Sequence, residues 1–146
     1  MLREVCIKFS KEIVLDGEGA SRLITVGVKG AKKIEDAREI ARSISTSTLF
    51  KCAMNGSDPN WGRAVSRIGC TGVKVNPSKM SVSLNNTIVY KDGEPLSFNK
   101  NKLYKEIKRG KEIFVTVDLK SGDKFAFAYG CDLSIDYVKF NSAYFT

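Results

Sequence analysis

The sequence predicts a single α/β domain in which helices pack on mixed β-sheets. Apolar residues recur at helical spacing in residues 2–15 and 34–47, and they alternate as in a strand in residues 22–29. The order strand, short turn, helix is typical of α/β proteins. A chain of 146 residues of which 42% are apolar can bury one core, and it contains no linker or internal repeat.

The first third of the chain predicts helix, strand and helix in that order. Residues 2–15 carry an apolar face, and the pair Asp16-Gly17 ends this helix. Residues 22–29 follow as a strand, which places Leu23, Thr25 and Gly27 on one face and Ile24, Val26 and Val28 on the other. Residues 34–47 form an amphipathic helix, and a less regular stretch comes after it.

The middle of the chain predicts a helix and two short strands. Asp58-Pro59-Asn60 is a turn whose residues suit the start of a helix near Trp61. Residues 82–84 and 87–90 are strands joined by the tight turn Asn85-Asn86.

The last third of the chain predicts a helix, a hairpin and an ordered tail. Asn99 caps a helix that Gly110 ends. Residues 112–120 and 124–130 alternate as strands on both sides of Ser-Gly-Asp, which predicts a β-hairpin with its aromatic side chains facing the core. The remaining tail is apolar and aromatic, so we expect it to pack rather than fray.

Composition limits the classes of function. The net charge is +8, but 17 lysines and 7 arginines are spread along the chain, so a solvated basic surface is favoured over nucleic-acid binding. Without any histidine, Ser-His-Asp and Cys-His mechanisms cannot be completed within this chain. Lysines interrupt the N-terminal apolar residues, which predicts neither a signal peptide nor a transmembrane segment and a cytoplasmic location.

The four cysteines form no CxxC pair, and the sequence offers no histidine to complete a metal site. We therefore expect no metal and four buried, reduced thiols. They are Cys6, Cys52, Cys70 and Cys131.

Three strings point to a family. They are DGEGASRLITVGVKGA at 16–31, GSDPNWGRAVSRIGCTG at 56–72 and DLSIDYVKFNSAYFT at 132–146. In this order and at these separations they resemble the C-terminal half of the ornithine acetyltransferase (bifunctional glutamate N-acetyltransferase) family of arginine biosynthesis. The resemblance covers essentially the whole chain and implies a layered α-β-β-α architecture.

The resemblance implies an acyltransferase that moves acetyl from N-acetylornithine to glutamate and releases ornithine. It implies no cofactor, although some members also accept acetyl-CoA as a substrate. Family members cleave themselves before a Thr, whose hydroxyl then carries the acetyl group with its own α-amine as base, so no histidine is needed. The complete enzyme is an α2β2 assembly, and this chain would be a single C-terminal domain, residues 1–146, of its second (β) subunit.

The resemblance assigns three substrate-binding residues. Glu18 in DGEGA matches an active-site Glu, and Asn141 and Thr146 in KFNSAYFT match residues that hold the amino-acid substrate. From residue type alone, Glu18 is more often expected to be a solvated loop acid, and Asn141 is equally a turn or capping residue. Arg63 and Asn60 of DPNWGR are either substrate-binding or structural, and Arg63 is more often expected to bind backbone carbonyls than a substrate carboxylate.

The family's nucleophile motif is missing from this sequence. None of its seven threonines stands in the family context of apolar residues followed by Thr-Asp-Ala. We therefore expect the first subunit and the nucleophile region to lie outside this chain, and the fragment alone to be inactive. The alternatives are a non-catalytic amino-acid-binding or regulatory remnant of the same family, and a basic nucleic-acid-binding domain.

Overall fold

The computed structural model of the protein describes residues 1–143 as helices packed on one mixed β-sheet. The helices are α1 Leu2–Leu15, α2 Ile34–Ser45, α3 Thr48–Asn55, α4 Trp61–Gly69, α5 Lys100–Arg109 and α6 Ile135–Ala143. The strands are β1 Leu23–Ala31, β2 Ser81–Leu84, β3 Thr87–Lys91, β4 Glu94–Pro95, β5 Glu112–Asp118 and β6 Lys124–Cys131. The predicted α/β class is confirmed.

The sheet has the strand order β4-β3-β2-β5-β1-β6. The strand β1 pairs in parallel with β5 and antiparallel with β6, and β2 pairs antiparallel with β5. The strand β1 is therefore an interior strand between β5 and β6, as expected of a strand whose two faces are both covered over part of its length.

One face of the sheet carries the hydrophobic core. Ile24, Val26 and Val28 of β1 are all at most 1% exposed, and they are level with Val115 and Val117 of β5. Side chains of α2, α3, α4 and α5 complete this cluster from the other side. Because alternate residues of a strand point to opposite faces, the residues between these valines in β1 and β5 lie on the second face of the sheet.

The predicted hairpin of β5 and β6 is wrong, because β1 lies between these two strands. Their connection crosses the end of β1, where Leu119 N donates to Lys29 O (2.9 Å) and Ser121 N donates to Gly30 O (2.8 Å). A Cβ on Gly122 would come within 2.3 Å of Ala31 O, so the glycine permits this crossing.

The predicted burial of the strand aromatics is also wrong. Phe114, Phe125 and Phe127 lie on the face opposite the core and are 45%, 51% and 55% exposed. The small residue Ala126 faces α2 instead, and a Cβ on Gly130 would meet Ser45 O at 2.7 Å. The helix approaches β6 so closely that only small side chains fit beneath it. We call the exposed side, with these three phenylalanines, the aromatic face.

Helix α1 forms at its predicted residues but buries none of its side chains. It lies against β1 and β6, on the side of the aromatic face. Lys11 bridges from it to Glu112 Oε1 (2.7 Å) and stacks over the Tyr129 ring (5.5 Å from its centroid). Its apolar side chains, including Phe9 and Ile13, remain exposed.

The cysteines are free, but the expectation that they are buried is wrong. Cys6, Cys52 and Cys70 are exposed and Cys131 is half-buried. None of the helices among residues 1–143 has the length and apolar character needed to span a membrane.

Candidate functional site

The Glu18 loop connects α1 to β1 and is shaped by its glycines. Gly19 has φ +67°, a left-handed conformation that glycine adopts without strain. A Cβ at Gly19 would come within 2.7 Å of Tyr137 N and 2.8 Å of Ser134 Oγ. The loop is therefore pressed against the first turn of α6, and this contact needs a glycine.

Glu18 and Asn141 lie in direct contact although they are far apart in sequence. Asn141 Nδ2 donates to Glu18 Oε2 at 2.7 Å and also to Tyr137 O, one turn earlier in α6, at 2.9 Å. Both side chains are exposed, so a ligand can reach them. We call them the Glu18–Asn141 pair. It offers a carboxylate acceptor and an amide whose carbonyl accepts no hydrogen bond within residues 1–143, which together suit an α-amino acid.

The third predicted substrate residue, Thr146, lies outside the described residues. An open cavity of about 510 Å³ adjoins the Glu18 loop, and Gly19, Ser21, Asn55, Ser134 and Lys139 are among its lining residues. It is thus bordered by the loop, the end of α3 and the tail helix.

Asp132, a residue that the sequence did not single out, lies beneath this region and is 3% exposed. Its Oδ1 accepts the backbone N–H groups of Ser21 and Arg22, both at 2.8 Å. Its Oδ2 accepts Ser21 Oγ (2.5 Å) and Asn55 Nδ2 (2.7 Å). Asp132 directly follows the apolar strand β6, a position where solvated loop acids are also common. The sequence therefore carries no local signal that Asp132 is buried and joins these segments.

The pKa of Asp132 lies below its usual value. Burial alone raises it, but the hydrogen bonds from Asn55 and Ser21 and from the backbone of Ser21 and Arg22 together outweigh that effect. The pKa of Glu112 is lowered in the same way, since burial raises it and bonds from Lys11 and Thr25 and the charge of Lys11 more than compensate. Both carboxylates are therefore ionised at neutral pH.

Arg63 and Asn60 are not brought to the Glu18–Asn141 pair. Arg63 Nη1 donates to Leu49 O at the start of α3 (2.6 Å), which agrees with the expectation that it binds backbone carbonyls. Asn60 stands at the N-cap of α4 without a capping bond from its side chain, which donates to Asp58 instead (3.0 Å). Nearby, the half-buried Trp61 packs against Tyr90, with ring centroids 5.8 Å apart.

Residues 1–143 contain no cluster of three acidic, cysteine or histidine side chains that could hold an ion.

Comparisons with known proteins agree on one family. The model of the ArgJ family matches residues 1–146. The arginine biosynthesis bifunctional protein ArgJ of Bacillus cereus is 44% identical over 145 residues, and that of Geobacillus kaustophilus is 41% identical. Each alignment covers 99% of this chain and 35% of the relative, so the chain spans about a third of the length of these relatives.

A solved structure supports the same similarity. The crystal structure of the arginine biosynthesis bifunctional protein argJ from Bacillus halodurans matches with a TM-score of 0.94 at 36% sequence identity. The match covers 98% of this chain and 67% of that one.

Proposed function

The chain belongs to the ArgJ family, and from this premise we propose that it is the C-terminal portion of an acetyltransferase of arginine biosynthesis. The reaction moves acetyl from N-acetylornithine to glutamate, with acetyl-CoA as a second candidate donor. The observation that carries the proposal is the hydrogen bond between Asn141 and Glu18, 2.7 Å long, at an exposed position beside a cavity.

In this proposal the chain holds the amino-acid substrate and does not itself attack the acetyl group. The Glu18 carboxylate pairs with the substrate ammonium or relays a proton, and Asn141 binds the amino-acid backbone through its amide. Thr146 belongs to the same proposed set of residues. The nucleophilic Thr comes from the rest of the enzyme, since no threonine of this chain stands in the family's nucleophile motif.

We propose that the rest of the enzyme covers the aromatic face, α1 and α6. The aromatic face exposes three large rings on one side of a sheet, and soluble monomers rarely expose so extended an apolar surface. Helix α6 buries none of its residues, yet Ile135, Val138 and Phe140 lie along it, and such a helix is normally covered. An α2β2 assembly and a cytoplasmic location are parts of the same proposal, the latter because the relatives are named for arginine biosynthesis.

The test is a chimera in which this chain replaces the matching segment of the Bacillus cereus relative. We expect the chimera to exchange acetyl between N-acetylornithine and glutamate. We expect Glu18→Gln to weaken ornithine binding or slow transfer by at least about tenfold, because a hydrogen bond to a charged group is worth about 1.5–3 kcal/mol. Glu94→Gln makes the same chemical change at an exposed residue of β4 and serves as the control.

A folded chimera that exchanges no acetyl group contradicts the proposal. If the chimera binds N-acetylornithine without turnover, the non-catalytic amino-acid-binding alternative replaces the proposed acetyltransferase. Equal kinetics of Glu18→Gln and Glu94→Gln remove Glu18 from the site.

A further inference from the structure

We propose that Asp132 is a positioning residue that sets the geometry of the Glu18–Asn141 pair. This inference rests on the proposed function of that pair and assigns a role to a residue that does not itself touch it. Asp132 lies where three segments meet: the Glu18 loop, the end of α3 and the turn that leads into α6.

On the Glu18 side, Asp132 binds the backbone of the Glu18 loop and not the Glu18 side chain. Its Oδ1 accepts the N–H groups of Ser21 and Arg22, which follow Glu18 by three and four residues. The side chain of Arg22 continues the link, since its Nη1 donates to the carbonyls of Met54 (2.5 Å) and Asn55 (2.9 Å) at the end of α3. The loop therefore has little freedom to move relative to α3.

On the Asn141 side, the same residue anchors the start of the tail. Asp132 N donates to Arg22 O (3.1 Å), and Leu133 N donates to Lys51 O of α3 (3.3 Å). Helix α6 begins shortly after and buries no residue of its own. Its direction therefore depends on these few bonds and on the close contact between Gly19 and Tyr137.

The chemistry of the junction requires a carboxylate. The two oxygens of Asp132 face four donors, and no ion pair to Asp132 occurs within residues 1–143. An amide at this position turns an NH2 group toward Ser21 Oγ and Asn55, so the hydroxyl has to accept and the Asn55 amide has to flip, and the stronger bonds to a charged acceptor are lost. Asp132→Asn thus changes almost no volume while it loosens both segments.

The experiment uses the chimera described above and the change Asp132→Asn. We expect the Michaelis constant for N-acetylornithine to rise about tenfold or more, because small displacements of positioning groups have effects of that size. We expect faster hydrogen exchange in residues 17–22 and 133–141. Asn99→Ala, which removes the side-chain bond to Lys102 N at the start of α5, is the control for general destabilisation.

A double-mutant cycle with Glu18→Gln separates the outcomes. If Asp132 acts through the pair, Asp132→Asn adds little to the Michaelis constant once Glu18 is already Gln. A full additional effect in that background, or an effect no larger than that of Asn99→Ala, overturns the inference while the proposed function stands. If Glu18→Gln changes nothing, Glu18 leaves the proposed site and the inference about the pair is overturned, while acetyl exchange by the unmodified chimera still decides the proposed function.

Discussion

Asp132 is a buried carboxylate whose hydrogen-bond donors within residues 1–143 are all uncharged groups. Peptide N–H groups, a hydroxyl and an amide replace the water it loses on folding, and the lowered pKa shows that they favour the ionised form. A residue of this kind links the stability of the fold to pH, because the unfolded chain binds its proton more tightly than the folded one does.

The stability of the chain should therefore fall in acid in a way that depends on Asp132. Its contribution is present above the usual Asp value of 3.8 and is lost as the pH falls from there through the lower folded-state pKa. We expect Asp132→Asn to reduce the free energy of unfolding by about 2 kcal/mol at pH 6. Urea unfolding from pH 6 to pH 2.5 measures this. The difference from wild type should shrink toward pH 2.5, and a difference that stays constant contradicts the expectation.

At this scale the sequence predicted Glu18 and Asn141 as substrate-binding residues but did not predict what holds them in place. Their residue types and positions matched a family pattern, and the structure places their side chains in contact. Asp132 and Gly19 matter because of close approach between distant segments, which no local pattern of residues reports. Arg63 also contacts a distant segment, since it donates to Leu49 O. The sequence therefore left open whether Arg63 binds a backbone carbonyl or a substrate carboxylate.

At the scale of elements, local signals predicted helices better than strand partners. Helices α1 and α2 follow from the helical spacing of their apolar residues, while α4 and α5 begin after the turn residue Asn60 and the cap Asn99. Helix α3 was missed because it has only eight residues, among them Thr and Cys, which favour helices weakly. The order β5-β1-β6 was missed because Ser121-Gly122-Asp123 resembles a hairpin turn, whereas the inserted strand comes from the far end of the chain.

Helix α3 should depend on its cap. Ser47 Oγ accepts the N–H of Phe50 (3.3 Å), and the helix places Phe50, Ala53 and Met54 in the core. We expect Ser47→Ala to lower the free energy of unfolding by about 1 kcal/mol. Ser47→Thr keeps the hydroxyl and should lose less. Urea unfolding of both variants measures the difference, and equal losses contradict a capping role.

At the scale of the whole molecule, the sheet is covered on one face and only partly covered on the other. The helices α2 to α5 protect the core, while the opposite side carries α1 and the aromatic face. The alternation of β5 and β6 was predicted, but the sequence could not show which side faces the helices. The close approach of α2 to Gly130 leaves room only for small side chains, so the face of β6 that carries Ala126 is the one that faces the helices.

The aromatic face should be required for assembly and not for folding of the chain. We expect Phe114→Ser with Phe125→Ser to abolish co-purification with the separately expressed upstream segment of the Bacillus cereus relative. Because both rings are about half exposed, each change should lower the free energy of unfolding of the chain alone by about 1 kcal/mol, roughly half the value of a fully buried ring. Leu49→Ser, at another exposed apolar residue, is the control. Undiminished co-purification of the Phe variant contradicts the prediction.

The position of β1 between β5 and β6 has a consequence for how the chain folds. Leu23 at the start of β1 pairs with Glu112 and Cys131, which belong to the last third of the sequence. A chain leaving the ribosome therefore leaves the apolar residues of β1 exposed until β5 and β6 have been synthesised. Such high contact order slows folding, and it leaves the early chain dependent on chaperones or prone to aggregate.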